Sequence, residues 1–267
     1  MTKEEVTMTK EKTTIPKDLK WLQESYITHR GYHCPKKAPE NSMGAFVRAL
    51  EEGFAIELDI HLTKDQRVVV FHDDDLERMT GYAKKITQCT WDEIRSLTLL
   101  GTQEKIPLLK EVLRLIDGKV PLLIEIKNRG KVGKLEKKTD DLLRHYDGVF
   151  AIQSFNPYSV GWFKEKSPKI IRGQLSGMFK NEKLPFYKKF LLKNLLMNHV
   201  SKPHFINYDI KYLSKFPVRI HSVKGSIILG YTATNPGAYR RALEDTVNVV
   251  FEGFNPKELS MSKSVKE

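Results

Sequence analysis

Seven residues of this chain carry side chains whose types and spacing could do chemistry together. Glu57 and Asp59 stand two apart in "AIELDIHLT", where Ile56, Leu58, Ile60 and Leu62 fill the alternate positions. A strand alternates sides residue by residue, so the carboxylates share one face and the aliphatic side chains the other. Glu125 and Lys127 repeat the pattern in "PLLIEIK", out of phase with Leu122, Ile124 and Ile126. His29 and Arg30 adjoin in "YITHRG", and His72 lies near the end of "RVVVFHD". Three converging carboxylates without cysteine make a hard oxygen-donor set, better suited to Mg²⁺ or Ca²⁺ than to zinc. Two imidazoles can serve as general base and general acid near neutral pH. The Arg30 fork and the Lys127 point charge can hold a phosphate. Together these are the parts needed to cleave a phosphodiester. Taken singly, Glu57 and Asp59 would read as solvated carboxylates paired with lysines; the recurrence at Glu125 favours a site. His33, His145, His199, His204 and His221 lack such company and suit surface or packing roles.

Such groups act together only if the chain brings them to one place. Short apolar runs alternate with helical patterns along nearly the whole length, which points to a parallel sheet. The runs lie at 26–31, 55–63, 121–127, 148–155, 169–176, 204–210, 226–234 and 247–253. Between them lie helix-like segments such as 41–54, 108–118 and 235–246. Eight strand–helix repeats at this length fit an α/β fold of the (β/α)₈ TIM-barrel type. A doubly wound sheet fits the same alternation, since strand order is invisible in it. In a barrel, functional groups gather at the C-terminal strand ends. Polar residues do so here, including Gln153, Gln174, Asp209, Thr232 and Glu252. The arm 67–73 returns from 55–63 through a turn at "TKDQ", setting His72 opposite Leu58 or Asp59. Opposed residues have Cβ atoms ~5 Å apart, so local geometry alone brings an imidazole beside two carboxylates.

The totals are compatible with this. At 267 residues, 40% hydrophobic and 29% charged, the chain can bury one large core and contains no run long enough to cross a bilayer. Residues 1–14 are polar, lack a signal-peptide core, and read as a disordered lead-in to a single domain at 15–260. Cys34 and Cys89 are too few for a disulfide framework, so a reducing cytoplasm is the default location. Lys and Arg outnumber Asp and Glu by 12, which suits anionic partners: phosphate esters, membrane surfaces or nucleic acid. No zinc-finger spacing or aromatic-basic RNA motif is present, and nucleic acid is not expected as a partner.

The ordered set "HRG…PENS…ELDIHLTKDQRVVVFHDDDLERMTG…IPLLKEV…EIK" closely resembles the glycerophosphodiester phosphodiesterase family. The likeness is strongest from Tyr26 to about Arg129 and thins towards Pro256. It implies a (β/α)₈ barrel with a β-hairpin extension after the second strand and a small insertion, here about 74–105. It implies cleavage of glycerophosphodiesters to glycerol 3-phosphate and an alcohol. His29 and His72 would be the acid/base pair, Glu57, Asp59 and Glu125 the metal ligands, and Arg30 and Lys127 the phosphate binders. Glu40 and Asn41 would organise the mouth near His29; starting the next helix is their alternative role. The substrate's own 2-hydroxyl would attack phosphorus, and water would open the cyclic phosphate. Three departures bear on substrate choice. Ser42 stands where Thr is usual, Tyr231 where a Trp commonly lines the glycerol pocket, and "FEGFNP" replaces a Thr-Asp pair before proline.

The motifs leave residues 178–203 unexplained. Lys183, Lys188, Lys189 and Lys193 interleave there with Phe186, Tyr187, Phe190 and Leu191. A basic amphipathic helix can rest peripherally on an anionic membrane; more often such a stripe packs on its own barrel. Two other readings keep the barrel: a lysophospholipid-cleaving, phospholipase D-like enzyme, and a phosphate-binding module without turnover. The second needs no acid/base pair, which the histidines argue against.

Overall fold

The computed structural model describes residues 17–180 and 182–261; the expected lead-in at 1–14 lies outside them. Among the described residues eleven strands form in chain order. They are β1 (Ile27–Thr28), β2 (Ala55–Leu62), β3 (Val68–Val70), β4 (Asp75–Leu76), β5 (Tyr82–Lys85), β6 (Leu122–Ile126), β7 (Phe150–Ser154), β8 (Arg172–Ser176), β9 (Phe205–Asp209), β10 (Ile227–Ala233) and β11 (Asn248–Phe251). Strands β2, β6, β7, β8, β9, β10, β11 and β1 pair in parallel, each with the next, and β1 pairs back to β2. The sheet therefore closes as an eight-stranded parallel barrel with helices between its strands. This excludes the open, doubly wound alternative.

Alternation along each strand divides the molecule into layers. Ile56, Leu58 and Ile60 of β2 join Leu122 and Ile124 of β6 in the outer core under the helices. The opposite face looks into the barrel. Its lower part is apolar: Ala55, Leu123, Ala151, Phe205, Leu229 and Val250 meet there, plugged from below by Leu19, Trp21 and Leu22. Gly173 on β8 makes room for this filling, because a Cβ there would lie 2.2 Å from the Phe205 ring. Two residues further along the strands the same face turns polar, as Glu57, Glu125, Gln153, Asn207 and Tyr231. Among the described residues, the inward polar groups therefore gather at one end of the barrel.

The connecting helices start where side chains satisfy their free amides. Ser42 Oγ accepts from the Ala45 N–H at 3.1 Å, opening helix Met43–Glu51. Asn156 and Asn235 each cap a helix whose first residue is proline, which has no amide to leave unsatisfied. The hairpin β2–β3 pairs Ile60 with Val70 and His61 with Val69, and Phe71 N–H donates to Asp59 O at 2.9 Å. β3 ends at Val70, and His72, two residues further on, reaches the cavity at the barrel mouth. Val68 and Val70 face the main core, whereas Val69 and Phe71 face a small second core with Leu76, Met79, Ile86 and Ile94. That core is the hydrophobic reason for the segment 74–105, which contributes β4 and β5 and packs outside the barrel.

The segment 178–203 differs from the one helix that its pattern predicts. It forms two short helices, Phe186–Lys193 and Asn198–Ser201. Tyr208 Oη donates to Lys193 O and Ser176 Oγ to Leu192 O, tying the first helix to the barrel at its C-terminal end.

Candidate active site

Strand register builds the acidic centre. Glu57 and Asp59 are successive inward positions of β2, and Glu125 is the β6 partner of Asp59. One oxygen from each lies within 4.8 Å of the others, and all three residues are buried. Lys127 Nζ sits 3.0 Å from Asp59 Oδ1 and 2.6 Å from Glu125 Oε1. Arg30 donates its backbone N–H to Glu57 Oε2 at 3.1 Å, and its Nε lies 3.4 Å from Asp59 Oδ2. Two fixed cations thus face three buried carboxylates. Burial, reinforced by Asp59 and Glu125, pushes the Glu57 carboxyl well above the ordinary range. Burial acts on Asp59 in the same sense, but Lys127, His72 and Arg30 outweigh it and hold that carboxyl low. Three hard oxygen donors crowded closely enough to raise the Glu57 carboxyl are what a divalent ion fits. Asp59 Oδ1 is buried, with the Lys127 ammonium beside it but no well-aligned hydrogen bond, which agrees with that fit.

The two histidines are held in the same way. His29 Nδ1 is 2.6 Å from Glu252 Oε2, at the end of β11, and His72 Nδ1 is 2.6 Å from Asp73 Oδ1. The hydrogen bond from His29 keeps Glu252 ionised well below the usual range. Burial opposes ionisation of Asp73, but hydrogen bonds from His72 and Arg78 prevail. An ionised carboxylate only accepts, so each Nδ1 carries the proton and each neutral ring offers a bare Nε2. Burial also lowers the proton affinity of His29, against the pull of Glu252.

Other expected residues stand behind this front. Asn41 brackets Asp59, donating from Nδ2 to Oδ2 at 2.9 Å and accepting the Asp59 N–H at 3.2 Å. Glu40 accepts from Arg30 at 2.8 Å and from both terminal nitrogens of Arg78, which in turn donates to Asp73 at 2.6 Å. Glu40 and Asn41 therefore brace Arg30 and Asp59 from outside the cavity wall, and the helix start belongs to Ser42. Tyr231 does line the cavity, with its hydroxyl turned to Ser176 O at 2.8 Å.

One opening lies at the C-terminal mouth, a cavity of about 960 Å³. His29, Arg30, Glu57, His72, Glu125 and Lys127 line it, with Gln153 and Asn207 among the strand positions below. Leu184, Tyr187, Leu191, Leu192 and Met197, all from 178–203, form an apolar wall. Three partners had no role assigned from the sequence: Asp73, Arg78 and Glu252, the last noted only as a polar residue at a strand end. Asp73 was legible beside His72. Arg78 comes from the insertion and Glu252 lies 223 residues from its histidine, so only closure of the barrel reveals them. His33, expected in a surface or packing role, has Nε2 3.6 Å from the Glu252 carboxylate. His61 anchors the hairpin, its Nε2 lying 3.1 Å from His72 O.

The class is that of a TIM barrel whose mouth carries a buried carboxylate cluster able to hold a metal ion and two carboxylate-oriented imidazoles. The chain belongs to the glycerophosphoryl diester phosphodiesterase family, matching its profile over residues 29–257. It is 38% identical over 161 residues to a glycerophosphodiester phosphodiesterase of Caldanaerobacter subterraneus, covering 56% of this chain and 65% of that one. It is 36% identical over 135 residues to the human lysophospholipase D GDPD1, covering 46% and 41%. Its fold is similar to an Oleispira antarctica phosphodiesterase solved with the product sn-glycerol-3-phosphate (TM-score 0.74, 22% identity, 91% and 97% covered).

Proposed function

We propose that the protein hydrolyses glycerophosphodiesters to sn-glycerol 3-phosphate and an alcohol. The observation that carries this is the pair of histidines, each held through Nδ1 by an ionised carboxylate, on one cavity with a three-carboxylate cluster and two fixed cations. Glu57, Asp59 and Glu125 would hold a divalent cation, Mg²⁺ or Ca²⁺. When bound, that ion would neutralise the cluster and polarise a phosphoryl oxygen. Arg30 and Lys127 hold the phosphate's charge, and Tyr231 shapes the glycerol end of the pocket. His29, whose burial favours the neutral ring, accepts the proton of the substrate's 2-hydroxyl as that oxygen attacks phosphorus. His72, acting when it carries a second proton on Nε2, donates that proton to the leaving alcohol as its P–O bond breaks. Water then opens the cyclic phosphate with the two rings exchanging roles. The two free thiols suit a cytoplasmic setting.

A second reading has a specific observation in its favour. The apolar wall of Leu184, Tyr187 and Leu191 could hold one acyl chain, which would make a lysophospholipid a substrate on the same barrel. One experiment tests both. Pure protein is incubated with glycerophosphocholine, glycerophosphoinositol and a lysophosphatidylcholine, with and without chelator. Glycerol 3-phosphate or lysophosphatidate should appear only without chelator, and His29→Ala and His72→Ala should abolish it while melting normally. Undiminished turnover in either variant would remove that histidine from the mechanism.

A further inference from the structure

Helix Phe186–Lys193 lies along the cavity mouth, and none of its residues is buried. Positions 186, 189, 190 and 193 follow helical spacing, so Phe186, Lys189, Phe190 and Lys193 form one stripe. Phe186 is 80% exposed and Phe190 46%. Lys193 Nζ lies 5.9 Å from the centre of the Phe190 ring, so charge and apolar surface share one patch. The other side of the same helix lines the cavity through Tyr187, Lys188 and Leu191. The helix carries three lysines and no acidic residue, and nearby Glu182 is neutralised by Arg129 at 3.0 Å.

Two phenylalanines beside lysines in open water are unfavourable; at a lipid–water boundary each finds its own phase. Rings enter the headgroup region while ammonium groups meet lipid phosphates. Charge argues against a second copy of this chain as the occupant, since a lysine stripe on a protein of net charge +12 would repel its duplicate. We propose that the stripe of Phe186, Lys189, Phe190 and Lys193 docks the protein on an anionic lipid bilayer, setting the cavity mouth at the membrane surface. This goes beyond the phosphodiesterase reading and is measured without turnover, so either can fail alone.

The test is co-sedimentation of the full chain with vesicles of phosphatidylcholine alone or of equimolar phosphatidylcholine and phosphatidylglycerol. Binding should require the anionic lipid and decline as salt screens the lysines. Lys189→Ala with Lys193→Ala should weaken it roughly 30-fold, at about fivefold per lysine near the surface. Phe186→Ser with Phe190→Ser should weaken it further against salt, because the apolar contribution is lost. Both variants should keep the parent melting temperature, since neither pair of side chains is buried. Equal binding to neutral vesicles, no binding to anionic ones, or variants that bind like the parent would overturn the proposal. So would a dimer in solution that the phenylalanine substitutions dissolve, which would show a second copy covering this face.

Discussion

At the scale of single residues, Asp73 and Glu252 decide what His72 and His29 can do. An imidazole on its own chooses between tautomers; a carboxylate accepting from Nδ1 removes the choice and leaves Nε2 facing the cavity. His61 works one step back, as a neutral donor to the His72 carbonyl. Burial lowers its proton affinity from 6.5 to about 4. Between those values the unfolded chain binds the proton and the folded one refuses it. Stability from this group is therefore complete above about pH 6.5 and falls as pH drops through about 4, by up to about 3 kcal/mol. His61→Gln keeps a donor but cannot titrate, so its urea midpoint should fall less between pH 7 and pH 5 than the parent's. Parallel slopes for the two proteins would exclude His61 as a source of acid sensitivity.

At the scale of elements, each barrel strand does two jobs with one alternating pattern. β2 buries Ile56, Leu58 and Ile60 outward, each worth roughly 1.5–3 kcal/mol. That same burial pins Glu57 and Asp59 inward. β6 repeats this beside it, and parallel register brings Glu125 level with Asp59. Packing energy thus holds the mutually repelling carboxylates in place. Phe205 of β9 contributes from the barrel floor, filling the space left by Gly173. Phe205→Ala should open a cavity there and destabilise the fold by about 3–5 kcal/mol, read as a lower urea midpoint. A loss under about 1 kcal/mol would mean that the floor collapses around the gap. Elsewhere the insertion lends Arg78 to the site, and its packing on Val69 of β3 and on Phe71 just beyond keeps it docked.

At the scale of the whole molecule, closure of the barrel creates both the cavity and the electrostatic imbalance within it. Three buried carboxylates against Lys127 and Arg30 leave the folded state under repulsion that a bound divalent cation would relieve. The stability of the whole chain should therefore depend on metal. Chelated protein should melt at a lower temperature, and Mg²⁺ or Ca²⁺ at about a hundred times its dissociation constant should restore about 2.7 kcal/mol. Glu57→Gln should blunt that response. A melting curve indifferent to both chelator and metal would argue that Lys127 alone satisfies the cluster. The net charge of +12 acts at this scale too, favouring encounters with anionic molecules.

Much of this was determined locally, and the sequence by itself carried it: alternation along 55–62 and 122–126, the hairpin that returns His72, and the adjacency of His29 to Arg30. These depend on neighbours in the chain, where period and turn chemistry act directly. Strand order, the pairing of Glu252 with His29, the bracing of Arg30 by Glu40 and Arg78, and the apolar wall from 178–203 were decided only by tertiary structure. They join residues far apart in the chain, and no local preference specifies which distant segments a closing sheet will bring together.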